Sequence, residues 1–292
     1  MNIGKHAYLI MAHNQWELLQ ELLETLDDPH NDIYLHIDKK ASAPWEQINA
    51  CVRNAQLTYT KQYNIVWGGT QMMECTLSML EEASKEYHSH YHFISGTDFP
   101  IKSQNDIHKF FEEHLNTEFI SFDWAGINSG RFLDRAKYYH FLINIIGKRD
   151  NRKIIYRILT KLEDFSLALQ RKCGLNRLDY TMYKGSSWFS ITHSLVNEIL
   201  KRKDVILTRY KFTANADETW LQTFVMESSP EIQLADSNMR YIKWIQGNPS
   251  PETLTMLDYE ALISSDKLFA RKFDWKKDCE IIIRLKEHIS KG

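Results

Sequence analysis

Residues 7–12 and 33–38 are two short apolar runs, and between them Leu18, Leu19, Leu22, Leu23 and Leu26 recur at helical spacing. The spacing predicts a helix over residues 15–26, stopped by Asp27, Asp28 and Pro29. Strand, helix and strand in succession form the unit from which parallel α/β sheets are built. Met72, Thr76, Met79, Leu80 and Ala83 mark one side of a helix over residues 71–86, and residues 91–95 read as a buried strand ending at Gly96. Further helices are expected over 107–115, 154–170, 195–203, 217–227 and 276–289, with strands over 118–122 and 187–192. Residues 247–251 carry a turn signal, Gly-Asn-Pro-Ser-Pro. Ligands of open α/β sheets collect beyond strand ends, which predicts that Asp38, Trp67 and Asp98 approach one crevice. No repeat, low-complexity segment or Pro/Gly-rich linker divides residues 1–292, so a single domain is expected.

Charge narrows the function classes. The chain has 36 basic and 38 acidic side chains, a balance without the electrostatic footprint of a nucleic-acid binder. Its basic clusters are local, at Lys148, Arg149, Arg152 and Lys153 and again at Lys201, Arg202 and Lys203; each reads as a solvated helix face or as a contact with an anionic lipid surface. The run at residues 7–12 is too short for a signal-peptide core or a membrane span. Cys51, Cys75, Cys173 and Cys279 show no paired ligand spacing. These features predict a cytoplasmic protein without a structural zinc site. His88, His90 and His92 alternate and would share a face of a strand, but Tyr91 and Phe93 between them point to burial rather than metal binding.

No zinc-protease, Walker, dinucleotide or nucleophile-elbow motif is present. Glu218 has two readings: it closes a reciprocal capping box with Asn215, or it is a general base for an acceptor hydroxyl. Asp38 is either an acceptor for a ribose or base or the cap of the next turn, and Asp98 is equally ambiguous. An Asp-x-Asp metal pair is missing, because the residue two before Asp98 is Gly96. Arg240, Arg271 and Lys272 could neutralise diphosphate oxygens, or form ordinary salt bridges.

Taken in order, several short segments together resemble the core-2/I-branching β-1,6-N-acetylglucosaminyltransferase family, which includes peptide O-xylosyltransferases. They are Ala7-Tyr8-Leu9-Ile10-Met11-Ala12-His13, Ile33-Tyr34-Leu35-His36-Ile37-Asp38, Val66-Trp67-Gly68-Gly69, Ser95-Gly96-Thr97-Asp98-Phe99-Pro100, Gly185-Ser186-Ser187-Trp188, Asp217-Glu218-Thr219-Trp220, Arg240-Tyr241-Ile242-Lys243-Trp244 and Phe269-Ala270-Arg271-Lys272. The resemblance implies an α/β, GT-A-like glycosyltransferase fold with a mostly parallel central sheet flanked by helices. It implies an inverting, metal-independent transfer from a UDP-sugar, N-acetylglucosamine foremost, onto a glycan or glycolipid hydroxyl. Xylose, glucose and galactose are alternatives for the donor sugar, and a noncatalytic carbohydrate-binding protein is the alternative from another class. On the same basis Glu218 is the expected base, Arg240 and Lys272 bind the diphosphate, Asp38 meets the nucleoside, and Ala7, Met11 and Trp67 help to shape the donor pocket. No metal ligand and no cofactor are expected. Animal members carry a membrane anchor and disulfides, so the chain looks like a bacterial cytoplasmic member working on cell-surface polysaccharide or glycolipid precursors, with peripheral contact at the inner face of the membrane an option. Residues 124–180 carry no family motif and are expected to face the acceptor, with Trp124, Arg131, Arg135 and Tyr138 as candidate contacts.

Overall fold

The computed structural model describes residues 4–126, 130–147, 154–228, 232–245 and 250–290, and of Arg131 the backbone alone. The basic cluster at 148–153 and most of the 247–251 turn lie outside these residues, as does the Arg131 side chain. A seven-stranded mixed sheet forms the centre. Its strands are β1 (His6–Ala12), β2 (Asn31–Ile37), β3 (Gln56–Tyr59), β4 (His90–Ser95), β6 (Thr117–Phe122), β7 (Gly185–Thr192) and β8 (Gln233–Asp236), arranged as β3-β2-β1-β4-β7-β6-β8. A small second sheet joins β5 (Asp98–Pro100), β10 (Phe269–Arg271) and β9 (Arg240–Ile242) in that order.

β1 pairs in parallel with β2 and β4, as the strand–helix–strand reading requires, and the helix Trp16–Leu26 buries all five leucines of its stripe. Because successive strand residues point to opposite faces, Tyr8 and Ile10 enter one core with the leucines and Phe269. Ala7 and Leu9 enter the other, with Phe93, Phe189 and Trp220. β7 departs from the parallel pattern by running against both β4 and β6. That reversal matters for the site: it brings the first residues of β7, not its last, to the edge where β1, β2 and β4 end.

Gly185 opens β7 at the bulge where its pairing with β6 shifts register between Ile120 and Phe122. A Cβ at this position would stand 1.9 Å from the Ser121 carbonyl oxygen, so only glycine permits the approach.

Candidate active site

The β4–β7 ladder ends at the pair Phe93–Phe189, and beyond it the strands part around the segments Ser95–Asp98 and Ser186–Trp188. Arg240 sits behind this fork. Its Nη2 donates to the carbonyls of Phe93 (3.2 Å) and Phe189 (2.6 Å), and its Nη1 donates to Ser190 Oγ (2.8 Å) and to the Asn238 carbonyl. The guanidinium also lies over the Phe269 ring, 5.0 Å from its centroid. Burial pulls its pKa down to about 9, so it stays protonated near neutral pH. The expected diphosphate ligand is thus a buried staple across the strand fork, with Nη1 and Nη2 engaged by backbone and Ser190 and Nε without a hydrogen-bond partner among the described residues.

Arg240 also orients a polar seam through the core. Since Nη1 donates to Ser190 Oγ, the Ser190 hydroxyl proton is directed to His92 Nδ1, 2.8 Å away. The remaining ring N–H of His92, on Nε2, then donates to His6 Nδ1 at 3.0 Å. Both rings are held neutral by burial, which pushes their pKa values well below the usual histidine range. His88 instead contacts Asp32 Oδ2 at 3.0 Å, while the His90 ring packs against Phe111, 4.6 Å between centroids, so the three alternating histidines do not converge. Among the described residues, the cluster with metal-ligand geometry is elsewhere: Asp28, His30 and His108 offer atoms within 4.8 Å of one another. It lies near the start of β2, the opposite edge from the strand ends.

Glu218 closes a short 3-10 turn, Ala216–Glu218, whose preceding Asn215 is left-handed at φ 51°. The Asn215 side chain makes no capping bond, so the reciprocal box expected with Glu218 does not form. Instead the Asn215 amide donates to the Gly68 carbonyl at 2.8 Å and docks the turn against the Trp67 loop. Freed from capping, the Glu218 carboxylate is 30% exposed and accepts from Arg135 Nη1 through Oε2 at 2.6 Å. No described residue hydrogen-bonds its Oε1. Asp217 beside it accepts from Ser187 Oγ at 2.8 Å. Desolvation, reinforced by the Glu218 charge, lifts the Asp217 carboxyl to about 6 against that hydrogen bond. Sequence reasoning missed this neighbour, because its contact with Ser187 spans thirty residues and leaves no local signal.

On the other side of Ser187–Trp188, Arg271 lies over the Trp188 ring, 4.4 Å from its centroid, and donates through Nε to Asp98 Oδ1 at 3.0 Å. Asp98 also accepts from the Ser95 hydroxyl and amide, so its carboxylate organises the Ser95–Asp98 turn. Lys272 follows, its Nζ donating to Ser250 Oγ at 3.1 Å. Asp38 takes the capping role: Oδ1 accepts the Lys40 amide at 2.8 Å and Oδ2 the Ile65 amide at 3.1 Å, tying together two loops. Met11 lies near the end of β1, half-buried, whereas Ala7 is fully buried about 13 Å further back along the strand and has no surface to offer a ligand. Trp67 is more than half exposed on a turn where Gly68 has φ 85°. Trp124 stacks on Phe122 and donates from Nε1 to Asp236 Oδ2 at 2.6 Å, while Tyr138 is buried beneath Arg171.

A partly exposed carboxylate and a tryptophan loop meet at the strand ends of this α/β sheet, with cations beside them. These are features of a GT-A-like glycosyltransferase that takes its sugar from a UDP donor. The family follows directly: the core-2/I-branching enzyme model matches residues 6–266, and the chain belongs to that family. It is 24% identical to a mouse N-acetyllactosaminide β-1,6-N-acetylglucosaminyl-transferase over 92% of its length and 68% of the mouse protein. It is 23% identical to the Arabidopsis thaliana β-glucuronosyltransferase GlcAT14A over 92% of its length and 61% of the plant protein. Among solved structures, TarS residues 1–349 of S. aureus in complex with UDP aligns over 98% of this chain and 72% of that one, with 13% identity and a TM-score of 0.41.

Proposed function

We propose that the chain transfers N-acetylglucosamine from its UDP conjugate to a carbohydrate hydroxyl by direct displacement with inversion, and that Glu218 is the base. The observation that carries this reading is the Glu218 carboxylate itself, which is partly exposed at the strand ends and oriented through Oε2 by Arg135, with Oε1 facing no described partner. Acceptor O–H gives its proton to Oε1 while the oxygen bonds to the anomeric carbon, and the bond from that carbon to the diphosphate oxygen breaks with its electron pair leaving on UDP. Lys272 and Arg271 lie in the segment that would meet the developing charge, a task that needs no divalent cation when fixed cations are at hand. Trp67 offers an exposed ring to the donor, and Asp38 and Met11 border the nucleoside pocket, Asp38 through the loops it ties together. Arg240 supports this edge from behind.

The donor sugar is the least constrained part, since the residues named here contact a base, a diphosphate and a hydroxyl rather than sugar substituents. The relatives themselves bear different sugars in their names, N-acetylglucosaminyl and glucuronosyl. Residues 124–180 supply the acceptor-facing wall, beginning with Arg135. The four cysteines are free thiols, in keeping with a reducing compartment on the inner side of a membrane.

The test is a metal-free mass-spectrometric screen of UDP-sugars against bacterial glycan acceptors, run beside Glu218→Gln. A product that requires acceptor and drops by a factor of about a hundred or more in the variant supports the assignment. Undiminished product from Glu218→Gln refutes the base.

A further inference from the structure

The helix Ile154–Lys172 is packed on one side only. Much of its inward grip is polar: Glu163 Oε2 accepts the Leu142 amide at 3.1 Å, and Gln170 brackets Tyr139 by accepting its amide at 2.8 Å and donating to its carbonyl at 2.9 Å. Its large apolar side chains point away. Ile155, Ile158, Leu162, Phe165 and Leu169 are all at least 49% exposed, and Phe165 reaches 69%. Their spacings alternate between three and four, which draws one continuous stripe about 21 Å long on a helical surface. A folded chain seldom presents such a stripe to water without a partner for it.

Charge decides the occupant. One flank of the stripe turns into the protein, through Leu159 and Ser166, and the other is exposed and carries Lys161 and Lys172, with Arg157 a little further round. Asp164 and Arg171 lie further round still on that side. A second copy of the helix would set these lysines in the margin of a shared seam, where like charges repel. A bilayer with anionic headgroups suits both halves of the pattern: the apolar stripe enters the acyl boundary while the lysines remain at phosphate level. No helix among the described residues is long and apolar enough to cross a membrane, so the contact lies in the plane of the surface.

We propose that the helix Ile154–Lys172 docks the protein on an anionic phospholipid surface through the Ile155–Leu169 stripe and its lysine margin. Docking belongs to this helix whatever the role of Glu218, so it goes beyond the transfer reaction and the two can fail separately. The experiment is co-sedimentation of the full chain with phosphatidylcholine vesicles, with and without phosphatidylglycerol. It is repeated for Leu162→Glu/Phe165→Glu and for Lys161→Glu/Lys172→Glu, with circular dichroism and melting to establish that each variant is folded. The expected result is selective sedimentation with the anionic vesicles, weakened by salt and reduced about tenfold or more in both variants. Equal partition onto neutral and anionic vesicles, or unchanged sedimentation of the folded variants, overturns it. So does a concentration-dependent dimer in light scattering that the Leu162→Glu/Phe165→Glu variant dissolves in the absence of vesicle binding, which assigns the stripe to a second copy.

Discussion

Replacing Arg240 with methionine separates a structural arginine from a diphosphate ligand. Methionine keeps much of the volume and the contact with Phe269, but it strips the guanidinium from the carbonyls of Phe93, Phe189 and Asn238 and from Ser190 Oγ. Each hydrogen bond from a charged donor is worth about 1.5–3 kcal/mol, so the four bonds together amount to roughly 6–12 kcal/mol. Relief from burying an isolated charge offsets several kcal/mol of this, which leaves a net destabilisation of about 3–5 kcal/mol. Against a domain stability of about 5–15 kcal/mol that is a large loss. Urea unfolding at pH 7.5 reads it as a lowered midpoint. UDP affinity, measured by titration calorimetry on the folded fraction, should change little. Arg240→Lys, which keeps a charge but lacks the fork that spans two strands, should also be destabilised. A methionine variant within about 1 kcal/mol of the parent that binds UDP at least about tenfold more weakly would refute the staple and return Arg240 to the donor site.

Acid should unfold the protein early. Burial lowers the pKa of His36 and of His90 to about 4. The unfolded chain therefore binds protons that the folded one refuses, and stability falls as pH drops from about 6.5 to about 4, by about 3 kcal/mol for each of these two residues; a melting temperature that stays level between pH 7 and 5 contradicts this. Gly185→Ala should cost about 2–3 kcal/mol or more, because the new Cβ meets a backbone oxygen that cannot swing aside, and chemical denaturation measures it. Lys272→Met should raise the KM for the UDP-sugar about tenfold while leaving the melting temperature within a degree or two, since the Lys272 ammonium hydrogen-bonds only Ser250 among the described residues; an unchanged KM removes it from the donor site.

The parts of the fold that were legible share a physical trait: their signal is carried by neighbours in sequence. The leucine stripe of Trp16–Leu26 and the apolar runs of β1 and β2 announce a parallel unit, and the helix expected at 154–170 is found at Ile154–Lys172. Nothing local marks the reversal of β7, which depends on pairing with β4 and β6 from distant parts of the chain. The site divides in the same way. Glu218 could be singled out by resemblance, yet its spacing to Asn215 suggested a cap that the left-handed Asn215 does not make. Arg240 looked like an anion ligand because its motif names a residue but not its depth, which is set by the Phe269 ring it covers and the Phe93 and Phe189 carbonyls it binds. Arg135 was a candidate acceptor contact, and its pairing with Glu218 across 83 residues was invisible.

That ion pair has a consequence for engineering. Arg135 comes from the same stretch, residues 124–180, that is proposed to choose the acceptor, while Glu218, the proposed base, lies in the Asp217–Trp220 segment. On the proposed roles, selectivity and readiness would share one exchangeable segment. A graft that swaps this stretch between relatives would carry its own arginine, or fail to, and so would reset how firmly the base is held before any sugar arrives. Chimeras that bind a new acceptor but turn over poorly should first be inspected for a lost guanidinium at this position, before the donor pocket is redesigned.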